Sequence, residues 1–339
     1  MVNQFVDGEW VTEYEATNEE GEFERQPTTF RDRLDPDDVE PGRYHLYVSY
    51  ACPWAHRTLV TRRLLGLEDV LSVDVVDPYR DEGGWQFTPE KDGCDPDSIN
   101  GFDYLREVYV EADPDYTGRV TVPVLWDRQE DTIVNNESRE VMRILTTAFA
   151  EADVGAETGV DLSPEPLRDD IDRVLDEIYE PINNGVYRAS LAESQQAYDR
   201  AVSDLFDALT RWDETLEEQR FLLGDQLTEA DVAMYTTLVR FDEVYHTTPT
   251  TMREVRPALE DYRDPDWKQL TDFPNLYAYL RDLFQKDGFN QTTNFEHISE
   301  HYACPGSPDG FSPKFLPPTE LSYRLQAPHD REIHEKLTA

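Results

Sequence analysis

Cysteines and long apolar runs are scarce or missing in this sequence. Its 339 residues include only Cys52, Cys94 and Cys304, too few for a disulfide framework and in keeping with a reducing compartment. No apolar run approaches the roughly 20 residues that a membrane-spanning helix needs. The first segment, MVNQFVDGEWVTEYEATNEE, has no basic stretch followed by an apolar one, so we expect no signal peptide. These absences predict a cytoplasmic protein with no membrane segment.

Positive charge is also scarce. The chain has 31 basic and 72 acidic residues, a formal net charge of −41. Nucleic-acid binding is therefore not expected, because no basic patch is present. The acidic residues are spread along the chain, whereas an acidic partner for basic proteins usually concentrates them in blocks. At about 1 M salt the Debye length falls to about 3 Å and screens self-repulsion, so we infer a halophile that accumulates salt.

The segment YVSYACPWAHR, residues 47–57, has the pattern of a strand, a cysteine and a helix. Residues 44–50 are rich in aromatic and apolar side chains, which is typical of a strand. Pro53 suits the first turn of a helix. Cys52 would then lie where free N–H groups and the helix dipole favour a thiolate. A buried structural cysteine is the alternative that this local pattern leaves open.

Composition and periodicity divide the chain into four parts. Residues 1–43 form a polar extension. Residues 44–150 follow a thioredoxin-like order of strands and helices, with an insertion or long loop at about 78–118 that is rich in Gly, Pro, Asp and Asn. Residues 164–300 carry apolar stripes at helical spacing, and residues 301–339 form a tail. The predicted fold class is an α/β thioredoxin-like domain followed by an all-α domain.

Two positions refine the thioredoxin-like half. Pro123 lies inside a strand-like run, where a proline fits an edge strand or a cis bond at a functional turn. Ala55 replaces the second cysteine of a C-x-x-C motif, so Cys52 can form a mixed disulfide but has no local thiol to resolve it. We therefore expect the resolving thiol to be a small molecule.

This plan, with the capped LTEAD helix at Thr228 and Asp231, resembles the glutathione transferase superfamily. In particular, it resembles the Xi class, the glutathionyl-hydroquinone reductases. The segments that carry the resemblance are GEFERQPTTFRDRL, GRYHLYVSYACPWAHRTL, GGWQF, GRVTVPVLWD, TIVNNESRE, INNGVYRA, LTEAD, RFDEVY and FPNLYAYLRDLFQ. They extend over most of the chain, from about Gly21 to about Tyr302.

The resemblance implies an enzyme in which Cys52 is the nucleophile. It would attack the sulfur of a glutathionyl-hydroquinone, release the hydroquinone and keep a mixed disulfide that a second thiol resolves. No bound cofactor is implied; glutathione or γ-glutamylcysteine would be the co-substrate. Salt-in archaea are thought to use γ-glutamylcysteine, so we hypothesise that the thiol here lacks the glycine. Family members are commonly homodimers, so we expect a homodimer.

The resemblance also assigns binding residues. Pro123 matches the cis proline of the fold, and the Val122 backbone would pair with the thiol peptide. Glu137 and Ser138 would hold the γ-glutamyl end, because a carboxylate and a hydroxyl at a helix start suit an ammonium and a carboxylate. The remaining residues expected to line the thiol site are Trp85 and Arg119. Those expected to contact the aromatic substrate are Tyr187 and Tyr302.

The sequence departs from the family pattern twice, which leaves the quinol open. His246-Thr247-Thr248-Pro249-Thr250 replaces a usual His-Phe-Lys-Cys-Asn run, and Ala303-Cys304-Pro305-Gly306 replaces a Tyr and Ser-His segment.

Several alternatives stay open beside this interpretation. A general thioltransferase or dehalogenase-type enzyme would use the same cysteine, and a binding module of the same fold would have an unreactive one. His56 is either a base or a solvent-facing side chain. His297, His301 and Cys304 match no standard zinc spacing, so we expect no metal site.

Overall fold

The computed structural model describes residues 3–12, 16–245, 268–303 and 318–331. They form two compact units. The first unit contains residues 3–12, 26–161 and 291–303, and the second contains residues 16–25, 162–245, 268–290 and 318–331. Cys304, the segment His246–Thr250 and the residues after Ala303 in the second departure lie outside the described residues. The four domain boundaries given above stay a prediction.

The described part of the first unit combines strands with helices. Its strands are β1 (Gln4–Val6), β2 (Glu9–Val11), β3 (Tyr44–Val48), β4 (Ser72–Val75), β5 (Arg80–Asp81), β6 (Gly84–Trp85), β7 (Gly118–Arg119), β8 (Val124–Asp127) and β9 (Thr132–Asn135). The helices that precede residue 162 are α1 (Pro53–Leu64), α2 (Leu105–Ala112) and α3 (Ser138–Ile144), and α3 runs into a π-helical segment, Leu145–Phe149.

The central sheet has the strand order β4-β3-β8-β9. β3 pairs in parallel with β4, and the β3–β8 and β8–β9 pairs are antiparallel. Every residue of β3 is buried, as expected for a strand that is covered on both faces. Because β3 and β4 are parallel, the segments that follow them leave the sheet at the same edge. Cys52 follows β3 at this edge, so the topology places the sulfur where thioredoxin-like folds bind ligands.

The predicted loop at 78–118 contains more regular structure than its composition indicates. β5 and β6 form a hairpin in it, and β7 pairs with β1 in a separate three-stranded sheet. Helix α2 begins after Tyr104, whose N–H donates to the Glu107 carboxylate at 2.8 Å. Leu105, Val108 and Tyr109 are fully buried on one face of α2. The burial of these three residues at helical spacing thus stabilises a helix despite the surrounding turn-forming residues.

The second unit is helical, as the periodicity predicts. Its helices are α4 (Arg168–Ile178), α5 (Gly185–Leu191), α6 (Gln195–Glu218), α7 (Glu229–Leu238), α8 (Pro274–Phe284) and, near the C-terminus, α10 (Pro318–Leu325). Helix α9 (Phe295–Ala303) belongs to the first unit. The apolar residues that recur at helical spacing along α6, from Tyr198 to Leu216, are buried, apart from Phe206, which is partly exposed. None of the helices in the described segments is long and apolar enough to cross a membrane.

The Asp231 carboxylate connects three parts of the second unit. It accepts hydrogen bonds from the Thr228 N–H at 2.8 Å and the Thr228 hydroxyl at 3.1 Å at the start of α7. It also accepts the Leu222 N–H at 2.9 Å and the Tyr279 hydroxyl of α8 at 2.8 Å. Asp231 is fully buried, and this burial raises the pKa of its carboxyl. The predicted cap is therefore also a tertiary connection between α7 and α8.

We expect Asp231→Ala to lower the free energy of unfolding by about 2–4 kcal/mol, because buried N–H and hydroxyl donors lose their acceptor. Urea unfolding measures the change. Asp225→Ala removes an exposed carboxylate from the same segment and should change stability by less than about 0.5 kcal/mol. Equal stability of the two variants would contradict the role of Asp231.

Candidate functional site

Cys52 occupies the N-cap position of α1, and its side chain is partly buried. Its carbonyl accepts the His56 N–H at 3.0 Å, which closes the first turn of the helix. Its Sγ lies 3.7 Å from the carbonyl oxygen of Val122. The sulfur is thus held at the positive end of a helix, an environment that favours a thiolate.

Val122 and Pro123 lie opposite this sulfur. The peptide bond between them is cis, and Val122 is buried. Strand β8 begins at the next residue, Val124, which places this turn at the start of a central strand. The partly buried Arg119 lies in β7, three residues before Val122. The cis geometry supports the sequence assignment of Pro123; the binding roles of Val122 and Arg119 stay predictions.

Glu137 and Ser138 begin helix α3. The Glu137 side chain caps the helix by accepting the Arg139 N–H at 3.4 Å, and its own N–H donates to Asn135 Oδ1 at 2.7 Å. The Thr28 hydroxyl donates to the other carboxylate oxygen of Glu137 at 3.3 Å. Ser138 is buried. A carboxylate, a hydroxyl and a helix N-terminus therefore lie together, as the sequence predicts, and this set can bind an ammonium and a carboxylate.

Arg57 is a site residue that the sequence analysis does not single out. It is buried in α1, with its guanidinium 4.5 Å from the centroid of the Trp54 ring. It also donates to the Ser138 hydroxyl at 3.4 Å. A fully buried arginine is rare unless it is paired, so the positive charge beside Ser138 suits a carboxylate ligand there. The CPWAHR motif contains this arginine and could have indicated it. Its partner, Ser138, lies 81 residues away and could not be inferred from the motif.

Trp85 and Tyr302 are linked through His301. The Trp85 ring, in β6, stacks on His301 with centroids 5.3 Å apart and planes 13° apart. His301 Nδ1 lies 2.6 Å from the Pro78 carbonyl oxygen, which makes this nitrogen the proton donor. The ring of Tyr302 meets the edge of His301 at 4.9 Å and is partly buried. Helix α9 thus carries Tyr302 to the hairpin that holds Trp85.

Further contacts fix α9 on the first unit. Lys91 forms an ion pair with Asp77 at 2.7 Å and another with Glu300 of α9. His297 Nε2 lies 2.9 Å from the Asp92 carbonyl oxygen, and the His297 ring contacts Tyr50 at 5.7 Å. The helix that carries Tyr302 is therefore anchored to residues near both ends of the segment 77–94.

Tyr187 belongs to the second unit, whereas the other predicted site residues belong to the first. Its hydroxyl lies 3.4 Å from the Tyr245 hydroxyl, and the Arg25 guanidinium lies 5.0 Å from the centroid of its ring. The ring is partly exposed, so Tyr187 is not an ordinary core tyrosine. Its contact with an aromatic substrate stays a prediction.

Three other groups singled out in the sequence differ in their surroundings. His56 does not face solvent, since it is fully buried with Nε2 3.0 Å from the Thr292 hydroxyl. Cys94 is buried, which raises the pKa of its thiol to about 11. Among the described residues, which exclude Cys304, no group of three or more His, Cys, Asp or Glu side chains is arranged to hold a metal ion.

Two family models match this chain. The family model described as "Glutathione S-transferase, N-terminal domain" matches residues 51–148, and the one described as "Glutathione S-transferase, C-terminal domain" matches residues 195–282. The fold and these two matches define a glutathione S-transferase.

Individual relatives make the assignment more specific. The chain is 44% identical to glutathionyl-hydroquinone reductase YqjG of Escherichia coli, over 98% of this chain and 99% of the relative. It is 44% identical to PcpF of Sphingobium chlorophenolicum, which carries the same enzyme name, over 88% and 90% of the two chains. The solved Xi-class transferase of Natrialba magadii superposes with a TM-score of 0.83 at 51% identity, over 98% and 97% of the chains. The chain belongs to the Xi-class glutathione S-transferase family, which confirms the resemblance seen in the sequence.

We expect iodoacetamide at pH 8 to label Cys52 rapidly and Cys94 very slowly in the folded protein. A thiol with a pKa of about 11 is ionised to only roughly one part in a thousand at this pH. Mass spectrometry of a Cys304→Ser variant gives the time course at each site. In urea, where burial is lost, Cys94 should react as quickly as a free thiol; faster labelling of Cys94 than Cys52 in the folded protein would contradict the site.

Proposed function

We propose that the protein is a thiol-dependent reductase of glutathionyl- or γ-glutamylcysteinyl-hydroquinones, with Cys52 as the nucleophile. The observation that carries this proposal is the position of the Cys52 sulfur, at the start of α1 and opposite the cis Val122–Pro123 bond. Near-complete coverage by a relative named glutathionyl-hydroquinone reductase supports the reaction class. A solved structure of that relative is described as glutathione-bound, which supports glutathione as a co-substrate.

The reaction balances with two thiols and no bound cofactor. The Cys52 thiolate attacks the sulfur of the adduct, forming an S–S bond while the bond from sulfur to the aromatic carbon breaks. The electron pair of that bond goes to the ring carbon, which takes a proton from water and leaves as part of the hydroquinone. A second thiolate then attacks the mixed disulfide. The second thiol leaves bonded to the thiol of the adduct as the oxidised disulfide, and the Cys52 thiolate is restored. The two thiols therefore supply the electrons that reduce the adduct.

The binding residues divide this task in the proposal. Glu137 would receive the ammonium of the γ-glutamyl group, while Ser138 and Arg57 would receive its carboxylate. The Val122 backbone would pair with the peptide part of the thiol. The residues that would line the thiol and the aromatic ring are Trp85, Arg119, Tyr302 and Tyr187. Because the γ-glutamyl end is common to glutathione and γ-glutamylcysteine, this arrangement accepts either thiol.

The setting of the enzyme is part of the proposal. A net charge of −41 and the similarity to a transferase from the halophile Natrialba magadii support a protein that works in concentrated salt. We propose that it acts in the cytoplasm as a homodimer on small-molecule substrates, without nucleic-acid or membrane partners.

Cys52→Ser should abolish the release of hydroquinone from the adduct, because a serine alkoxide is scarcely populated at neutral pH. Chromatography of the released hydroquinone in concentrated salt measures the rate. Cys94→Ser and Cys304→Ser are the matched controls and should keep most of the activity. Full activity of Cys52→Ser would disprove the assignment. Comparable wild-type rates on simple mixed disulfides would favour a general thioltransferase, and an inert Cys52 would favour a binding module.

The identity of the thiol gives a separate prediction. We expect the wild type to turn over the γ-glutamylcysteinyl-hydroquinone at least as fast as the glutathionyl one, because the residues assigned to the thiol engage its γ-glutamyl end. The ratio of kcat/KM for the two adducts measures this. A strong preference for the glutathionyl adduct would show that the glycine is recognised, and would exclude γ-glutamylcysteine as the preferred thiol.

A further inference from the structure

No acidic group in the described residues neutralises the positive charge of Arg80. Its guanidinium makes no hydrogen bond or ion pair within the described parts of the chain, and its Nε is buried. The nearby acidic side chains are engaged elsewhere. Asp77 pairs with Lys91, and Asp81 accepts the Gly83 N–H at 2.7 Å and the Tyr104 hydroxyl at 3.1 Å. In a chain with 72 acidic residues, an unpaired and partly buried cation needs an explanation.

The topology of the first unit brings Arg80 to the edge where Cys52 lies. Val48 at the end of β3 pairs in parallel with Val75 at the end of β4, and the Val76 N–H extends the ladder to the Val48 carbonyl at 2.9 Å. Cys52 follows the first strand by four residues, and Arg80 follows the second by five. Both residues therefore emerge from the same end of the same parallel pair.

Side-chain contacts at this edge also link the segment of Arg80 with the segment of Cys52. Arg80 pairs with Trp85 in the β5–β6 hairpin, and its guanidinium lies 4.9 Å from the Trp85 ring centroid. Helix α9 contacts both segments, through His301 stacked on Trp85 and through His297 against Tyr50, two residues before Cys52. Burial lowers the pKa of the Arg80 guanidinium, and the negative charge of the Cys52 thiolate is the group that opposes this shift.

We propose that Arg80 supplies a positive charge, in addition to the N-terminus of α1, that stabilises the thiolate of Cys52. The proposal rests on the proposed role of Cys52 as nucleophile. When the thiol ionises, its proton passes to water and the sulfur can no longer donate to the Val122 carbonyl 3.7 Å away. A neighbouring guanidinium offsets that loss, because it favours the charged form of the sulfur.

The other charged or titratable groups around this edge have partners of their own. On α1, His56 bonds to Thr292 and Arg57 donates to Ser138. The groups on α9 and the 77–94 segment and their partners are His297 with the Asp92 carbonyl, His301 with the Pro78 carbonyl, and Lys91 with Asp77 and Glu300. Among the cations that the structure describes on these elements, Arg80 is thus the one whose guanidinium has no competing hydrogen-bond or ion-pair partner.

The test is the pH dependence of iodoacetamide labelling at Cys52, in a Cys94→Ser/Cys304→Ser background. Arg80→Gln should move the midpoint of the profile upward by about one pH unit or more. Arg80→Lys should restore most of the wild-type profile, because the charge is kept. Arg106→Gln is the matched control, since the Arg106 guanidinium also lies over an indole ring, that of Trp10 at 5.3 Å; its profile should not move. An unchanged midpoint in Arg80→Gln would overturn the proposal.

A second measurement needs no variant at position 80, should Arg80→Gln fail to fold. Iodoacetate is an anion and iodoacetamide is neutral, so a cation beside Cys52 should raise the iodoacetate-to-iodoacetamide rate ratio above that of free cysteine. The net negative charge alone predicts a ratio at or below that of free cysteine. Such a ratio would overturn the proposed role of Arg80. Both readings use labelling without an adduct, so they remain valid even if hydroquinone release fails and the proposed function is wrong.

Discussion

In the proposed reaction, the constraint on the first unit is to keep a negative sulfur in a protein whose net charge is already −41. Long-range repulsion from surface carboxylates is screened by salt, but a partly buried group is screened much less. A thiolate in this place would depend on local positive potential, which the N-terminus of α1 supplies to Cys52. The parallel pairing of β3 and β4 sets that helix at the sheet edge. The position of the sulfur opposite Val122, 70 residues away, follows from the antiparallel pairing of β3 with β8, in which Tyr47 lies opposite Val124.

Local signals account for what could be predicted from the sequence. The strand before Cys52, the helix after Pro53 and the cap at Thr228 each depend on residues within a few positions of one another. The unpredicted features depend on distant partners. His56 is buried because Thr292, 236 residues away, accepts or donates its hydrogen bond, and Trp85 meets His301 across a comparable separation. Helix α2 was missed because its three buried apolar residues lie among turn-forming ones.

The two units contribute different parts of the expected chemistry. Cys52, Pro123, Glu137 and Ser138 lie in the first unit, and their local geometry agrees with thiol binding. Tyr187 lies in the second, where Tyr245 and Arg25 surround it. The first departure from the family pattern begins directly after Tyr245. The sequence therefore changes beside the tyrosine pair and leaves the thiol residues unchanged, which agrees with a constant thiol reaction and a variable aromatic partner.

The contacts of the buried arginines explain why this acidic chain retains them. Arg331 is buried and donates to the carbonyls of Leu216, Gln219 and Arg220, the last at 2.8 Å, at the end of α6. Arg220 in turn holds Asp282 with two hydrogen bonds. Such sites need the several donors of a guanidinium, which the compact ammonium of lysine does not offer. Arg80 differs from these arginines because no partner in the described segments engages its donors, and the field of such a cation is available to the sulfur.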